Sequence, residues 1–248
     1  MKKVIIKETK MSHRVQEAFK TLRTNIQFCG TDKKVIMLTS CISGEGKSDT
    51  SLRIAMSLAE LGKRVILVDT DLRKSVLVNK LMRSRDESLG LTHFLTGQAS
   101  LRDVVCTTNV PNFHIIMAGP FPPNPVELLS NHHFEAMITA LRAAYDYIII
   151  DTAPLGTVID AAIVAKLCDG AILVIESGKI NYRFELDTKL QLDKTGCPVL
   201  GAVLNKVDTK KSGYGGYGNY YGKYYGNYYG EYMESTTGSG AQDPSSQK

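Results

Sequence analysis

The sequence predicts an α/β fold, a mostly parallel sheet flanked by helices, followed by a tail with no structure of its own. Three observations carry this reading. Short apolar runs rich in β-branched residues alternate with stretches of helical periodicity. One of these runs leads through a glycine-rich loop directly into a helix. Near residue 210 the composition then shifts abruptly to tyrosine and glycine. The expected organisation is a folded body over residues 1–209, with an N-terminal helix at 10–29, and a tail over 210–248.

Taken in order, the N-terminal helix is marked by Val15, Phe19, Leu22 and Ile26, which line one face, with Arg14, Glu17, Lys20 and Arg23 on the others. Strands are expected at 35–39, 65–69, 113–118, 147–151, 171–175 and 199–204. Their near-continuous apolar character suits a parallel sheet covered on both faces. Helices are expected at 47–61, 126–144, 160–167 and 182–194. The interval 75–112 is the least regular, with short helices expected around 89–95 and 101–105.

Composition narrows the function classes. At 248 residues, 43% hydrophobic and 22% charged, the chain can bury a full core. The net charge is +5, and the segment from residue 210 carries four lysines and three acids, leaving the body at +4. No polybasic surface for nucleic acid is indicated. Five cysteines, odd in number and without a CxxC, argue against a disulfide framework or a structural zinc site and fit a reducing cytoplasm. No apolar run reaches the ~18–20 residues that span a bilayer, so a partner is expected to provide any membrane association. Arg83-Ser84-Arg85 reads as a solvated turn, His132 and His133 as a helix start, and Cys41 as a small residue tolerated by its loop.

Three strand ends carry the chemistry. Ser43-Gly44-Glu45-Gly46-Lys47-Ser48 lies between a strand and a helix, the context of a phosphate-binding loop. Backbone N–H groups at a helix N-terminus favour a polyanion; Lys47 would bridge β- and γ-phosphates and the Ser48 hydroxyl would ligate magnesium. The strict motif begins with glycine, and Cys41 stands there instead. The next strand ends in Asp69-Thr70-Asp71-Leu72-Arg73, whose two carboxylates are expected on one side, with the phosphate loop on the neighbouring strand. Tyr147-Ile148-Ile149-Ile150-Asp151 is an apolar strand ending in a carboxylate that would hold the metal from the far side. The metal set is therefore Ser48, Asp69 and Asp151, and Asp49 completes the nucleotide-binding loop. Asn205, closing the last strand, is a candidate reader of the adenine edge.

The tail holds nine of the twelve tyrosines: Tyr214, Tyr217, Tyr220, Tyr221, Tyr224, Tyr225, Tyr228, Tyr229 and Tyr232. Seven glycines between Gly213 and Gly230 and the lack of aliphatic residues leave it without a core, so it is expected to be disordered. A nucleotide-binding body that carries a row of phenols on its own flexible end reads as a kinase that phosphorylates itself.

These residues resemble the bacterial tyrosine kinases of the capsular exopolysaccharide family over about residues 10–209, with the tail similar in kind. Asp69-Thr70-Asp71-Leu72-Arg73 is similar to its D-x-D-x-R motif, and residues 119–129 (GPFPPNPVELL) to its G-P-x-P-P-N-P-x-E-L-L segment. Residues 17–25 (EAFKTLRTN) resemble its ring-building E-x-x-R-x-x-R stretch. Lys20 replaces an arginine there, which removes bidentate hydrogen bonding. Ala153 replaces a second proline and Asp49 a threonine, and neither change removes a group the chemistry needs. The resemblance implies a phosphate-binding-loop NTPase fold, ATP with Mg2+, and catalysis by Lys47, Asp69, Asp71 and Arg73, with Asp71 as base. It also implies a ring such as an octamer built through Glu17, Lys20 and Arg23, and phosphate on the tail tyrosines. A membrane adaptor of the polysaccharide co-polymerase type, a cognate phosphatase and a place at the inner face of the plasma membrane complete the picture.

Two other readings compete. A positioning ATPase of the ParA/MinD kind would share sheet and loop, but it carries an extra lysine early in the loop, where this chain has Ile42. A self-associating Tyr/Gly interaction protein would need no kinase chemistry. A variant of it, single-strand nucleic-acid binding on stacked tyrosines, has only Lys223 among the repeats for electrostatic support.

Overall fold

The computed structural model describes residues 2–7, 11–81 and 89–208. The tail tyrosines Tyr214 to Tyr232 and Arg83-Ser84-Arg85 lie outside the described residues. The chain divides into two units, Met1–Lys206 and Val207–Lys248, and the architecture below is that of the first.

The elements follow in the order β1 (Lys3–Val4), α1 (His13–Phe28), β2 (Val35–Ser40), α2 (Lys47–Ala59), β3 (Val65–Asp69), α3 (Val76–Leu81), α4 (Leu91–Leu95), α5 (Leu101–Val104), β4 (Val105–Thr108), β5 (Phe113–Ile116), α6 (Pro125–Leu129), α7 (His132–Ala144), β6 (Tyr147–Asp151), α8 (Asp160–Ala165), β7 (Gly170–Glu176), α9 (Tyr182–Asp193) and β8 (Val199–Asn205). Among the described residues they build one eight-stranded sheet, ordered β1-β4-β5-β3-β6-β2-β7-β8. Every pairing is parallel except β4 with β5. The central strands β2 and β3 are buried along their length and β6 from Ile148 onward, as their unbroken apolar runs require of a doubly covered sheet. At the edge, β8 leaves Gly201, Ala202 and Leu204 exposed.

Several expected boundaries move. The stretch expected as one helix at 126–144 breaks at Ser130 and Asn131. The Asn131 side chain accepts from the Phe134 N–H and starts α7 anew, while Pro125 opens α6 at a position where a missing N–H costs nothing. The helix expected to 105 stops at Val104, because the β-branched Val105 and Thr107 enter β4 against β5. Strand β5 ends at Ile116 and not at Ala118. The carbonyls of Met117 and Ala118 turn to accept the Leu91 and Thr92 N–H groups at the start of α4, at 2.7 and 3.0 Å.

Helix α1 packs on α2 through only part of its apolar stripe. Ile26 is buried and Leu22 joins the core edge, whereas Val15 is exposed and Phe19 lies under the Arg53 guanidinium at 6.0 Å. Arg23, expected as an intersubunit contact, turns inward: its Nη1 donates to the Ser57 carbonyl (3.0 Å) and hydroxyl (3.2 Å) near the C-terminus of α2. Glu17 and Lys20 pair with each other on the exposed face at 2.8 Å.

Candidate active site

The carboxyl ends of β2, β3 and β6 converge, as the crevice rule for open α/β sheets requires. Strand β6 lies between the other two, with Asp151 in register with Leu38 on one side and Asp69 on the other. The strand of Asp69 is therefore not the immediate neighbour of the phosphate-loop strand, as the sequence had suggested. Asp71 sits beyond the end of β3, and the turn brings it in.

Between β2 and α2 the loop is held from below. The Glu45 carboxylate is fully buried and accepts from the N–H groups of Cys41 (2.7 Å), Ile42 (2.9 Å) and Glu176 (3.1 Å). Its side chain thus organises the first part of the loop. Gly46, in left-handed conformation at φ +88°, ends the loop; a Cβ there would collide with Asn205 Nδ2. Asn205 Nδ2 donates to the Glu45 carbonyl at 2.8 Å, and Lys206 Nζ to the Gly44 carbonyl at 2.7 Å. The last strand therefore braces the loop. Ser43 and Gly44 are open to solvent, while Asp49 faces outward and pairs with Lys80.

At the head of α2, Lys47 is almost buried. Its ammonium lies 3.2 Å from Asp151 Oδ1, 3.2 Å from Ser48 Oγ and 3.9 Å from Asp71 Oδ2. Ser51, one turn along the helix, donates its hydroxyl to Asp151 Oδ1 at 3.1 Å. The second oxygen, Asp151 Oδ2, is buried without a hydrogen-bond partner. Asp69 accepts from the Ser75 hydroxyl and from the Asp71 N–H. Asp71 Oδ1 accepts from the Lys74 N–H at 2.9 Å, which leaves Oδ2 toward Lys47. Arg73 pairs with Asp160 through two hydrogen bonds.

Two carboxylates, Asp151 and Asp71, thus lie within 4 Å of one ammonium, and the buried Asp69 stands in register with Asp151. Burial first, and then the charge of Asp151, push the Asp69 carboxyl up to about 8. Burial also raises Asp151, against the opposing pull of Lys47. Carboxyl groups whose ionisation burial opposes, one of them with an oxygen unpartnered, suit a divalent cation, which would favour their charged forms. Among the described residues no three His, Cys, Asp or Glu side chains are arranged to hold a metal unaided. Magnesium commonly takes one or two carboxylates and completes its shell with phosphate oxygens and water. The residues present therefore fit Mg2+ at the expected set of Ser48, Asp69 and Asp151.

A tyrosine-protein kinase, CpsD of Streptococcus agalactiae, is 42% identical over 217 residues, covering 88% of this chain and 94% of that protein. The chain belongs to the bacterial tyrosine-kinase family. A family model described as an AAA domain matches residues 33–182, which span the phosphate loop and both carboxylate motifs. The kinase domain of the Escherichia coli tyrosine kinase ETK superposes with a TM-score of 0.74 at 30% identity, covering 79% of this chain and 77% of that one. The septum site-determining protein MinD of Pyrococcus horikoshii, solved with Mg-ADP, gives 0.61 at 27% identity, covering 72% of each chain. The fold is thus that of phosphate-binding-loop NTPases, shared by this kinase family and MinD.

Sequence reasoning missed four members of the site. Ser51 was accessible through the helical period, since Lys47 and Ser51 are four apart. Ser75, Asp160 and Lys206 belong to no motif and reach the site only through loop and strand placement.

Proposed function

We propose that this chain is an Mg·ATP-dependent tyrosine autokinase that transfers the γ-phosphoryl group to tyrosines of its own C-terminal cluster. The observation that carries this reading is the ammonium of Lys47 set between Asp151 and Asp71 at the head of the phosphate loop. Such an arrangement lets one cation meet the triphosphate while a carboxylate stays within reach of an acceptor. When bound, magnesium neutralises charge on the transferring phosphates. Backbone N–H groups of Ser43, Gly44, Glu45 and Gly46 cradle the phosphates, and Lys47 neutralises charge at the β- and γ-positions. Ser48, Asp69 and Asp151 would hold the cation, and the carboxylate of Asp69 also orders the turn that carries Asp71. A tyrosine hydroxyl, with a pKa near 10 when free, gives its proton to Asp71 late in a loose transition state. The phenolic oxygen then gains the phosphorus as the bond to the ADP oxygen breaks. The remaining catalysis is positioning.

At the base end, Asn205 Nδ2 is committed to Glu45, so the free acceptor is Oδ1, suited to the adenine amino group. Asn205→Ala should weaken ATP binding more than binding of inorganic triphosphate, as titration calorimetry can measure. Equal losses for the two ligands would reduce Asn205 to a brace for the loop.

The acceptors are Tyr214 to Tyr232. About 14 residues of glycine-rich coil reach roughly 20 Å root-mean-square, which suits transfer to a neighbour in a ring such as an octamer. The outer face of α1, with Glu17 and Lys20, is the proposed ring surface, and Arg23 holds α1 from beneath. Each phosphotyrosine adds about −1.5 to −2 charges, so nine would add about −13 to −18 and oppose assembly. A phosphatase resets the cycle. Among the described residues no helix is long and apolar enough to cross a membrane, and the adaptor supplies both activation and a place at the membrane's inner face, where the kinase regulates capsular or exopolysaccharide synthesis and export.

One experiment tests the reading. The protein is incubated with Mg·ATP, with and without a synthetic cytoplasmic segment of the adaptor. Phosphate is mapped by mass spectrometry, and mass in solution is measured before and after. The expected result is phosphate on Tyr214–Tyr232, faster with the segment, and a smaller assembly afterwards. ATP hydrolysis without phosphotyrosine would instead make the chain a positioning ATPase of the MinD kind. Phosphorylation with no change of mass would remove only the ring control, and an unchanged rate would remove only the adaptor.

A further inference from the structure

Asp160 opens α8 and is 1% exposed, yet no motif of the sequence includes it. Its two oxygens accept from one side chain: Oδ2 from Arg73 Nε at 2.8 Å and Oδ1 from Arg73 Nη2 at 3.0 Å. Helix α8 packs against α6, α9 and β2, with Ala161 and Val164 fully buried, so the carboxylate stands on a rigid support. The Arg73 side chain, by contrast, remains 37% exposed.

This pairing has a geometric consequence. A guanidinium has five N–H donors in a fixed plane. Nε and Nη2 lie on one edge, and the fork-to-fork pairing uses that edge alone. The other donors are thereby turned away from α8, in an orientation a single hydrogen bond could not impose. Arg73 also belongs to the short turn that carries Asp71, whose Oδ1 accepts from the Lys74 N–H. Fixing Arg73 to α8 therefore pins the turn on both sides of Arg73, with Asp71 on one side and Lys74 on the other.

As a device for stability alone the pair is poor. A carboxylate removed from water recovers little by pairing with a partner that remains partly solvated. What it provides is direction. We infer that Asp160 is a positioning residue for phosphoryl transfer, holding Arg73 by one edge so that its other donors, and Asp71 with them, face the reacting groups. This inference rests on the kinase reading above. The alternative role for Asp160 is a pin for the start of α8, where an acidic residue is favoured by the helix dipole.

The test uses the full chain and three single variants, Asp160→Asn, Asp160→Glu and Arg73→Lys, together with the double variant Asp160→Asn/Arg73→Lys. Turnover of tail phosphorylation, KM for ATP, nucleotide affinity by calorimetry and thermal midpoint are measured on each. Asp160→Asn keeps the shape and should lower kcat about 10–100-fold, the usual cost of losing a supporting group. KM, nucleotide affinity and midpoint should change little. Asp160→Glu, which retains the fork, should recover part of the loss. Arg73→Lys should resemble Asp160→Asn, and the double variant should be no worse than the poorer single, because the two act as one unit. Undiminished kcat in Asp160→Asn would overturn the inference. Losses that follow the midpoint without rescue by glutamate, or that add in the double variant, would assign Asp160 to α8 alone. Absence of phosphotyrosine from the unaltered protein would instead remove the kinase reading, and this inference with it.

Discussion

Lys47→Met is expected to abolish phosphotyrosine while the protein stays folded. Lys47 is the ammonium that approaches both Asp151 and Asp71, at 3.2 and 3.9 Å. Its loss removes the charge that would meet the β- and γ-phosphates and leaves the carboxylates to repel them. Removing a single donor of this type costs about 10²–10³ in turnover, and the added repulsion takes the expected loss beyond that range. Methionine fills similar volume at the head of α2, so the packing on β2 and β6 persists. The site loses a buried partner, which carries a cost of up to about 3–5 kcal/mol. A lower thermal midpoint with an unchanged far-ultraviolet circular dichroism spectrum is therefore expected. Anti-phosphotyrosine blotting after incubation with Mg·ATP reads the activity. Phosphorylation retained in this variant would sink the assignment of the phosphate loop.

Asp71→Asn separates proton transfer from binding. Asparagine can still accept from the Lys74 N–H through its oxygen, and Asp151 still holds Lys47. The turn and the loop should therefore survive. What disappears is the carboxylate that takes the phenol proton, a contribution of about 10²–10⁴. Turnover should fall by that factor with KM for ATP nearly unchanged, as single-turnover phosphorylation would show. A normal rate would transfer the role of base to another group. A loss confined to KM would make Asp71 part of the nucleotide site.

Most of the sheet was legible because its strands are short, apolar and β-branched, and both of their faces are covered. The antiparallel β4 was not, since Val105 and Thr107 become strand residues only through their pairing with β5. The break between α6 and α7 could be read from Asn131 as a capping residue, but the apolar period runs on through it. The three strand-end motifs named Lys47, Asp69, Asp71 and Asp151, whose chemistry is local to each segment. The order of the strands was hidden, because crossovers, and not local sequence, put β6 between β3 and β2. Arg23 was placed by its motif, but its hydrogen bonds to Ser57 come from the packing of α1 on α2, which no local pattern announces. Partners that arrive from distant loops, such as Asp160 for Arg73, leave no local trace.

The two edges of the sheet are unequal. One ends in β1, only two residues long. The other is β8, seven residues of Val199-Leu200-Gly201-Ala202-Val203-Leu204-Asn205 with no charge and no proline. Its pairing with β7 is irregular between Val199 and Gly201, one device by which proteins discourage sideways growth, and from Gly201 to Asn205 the described residues add no charge or proline to it. Colloidal behaviour should therefore be directional. Among the described residues, self-association by strand addition has a longer template along β8 than along the two-residue β1, and a lysine on the β8 edge is where resistance to precipitation would be engineered first.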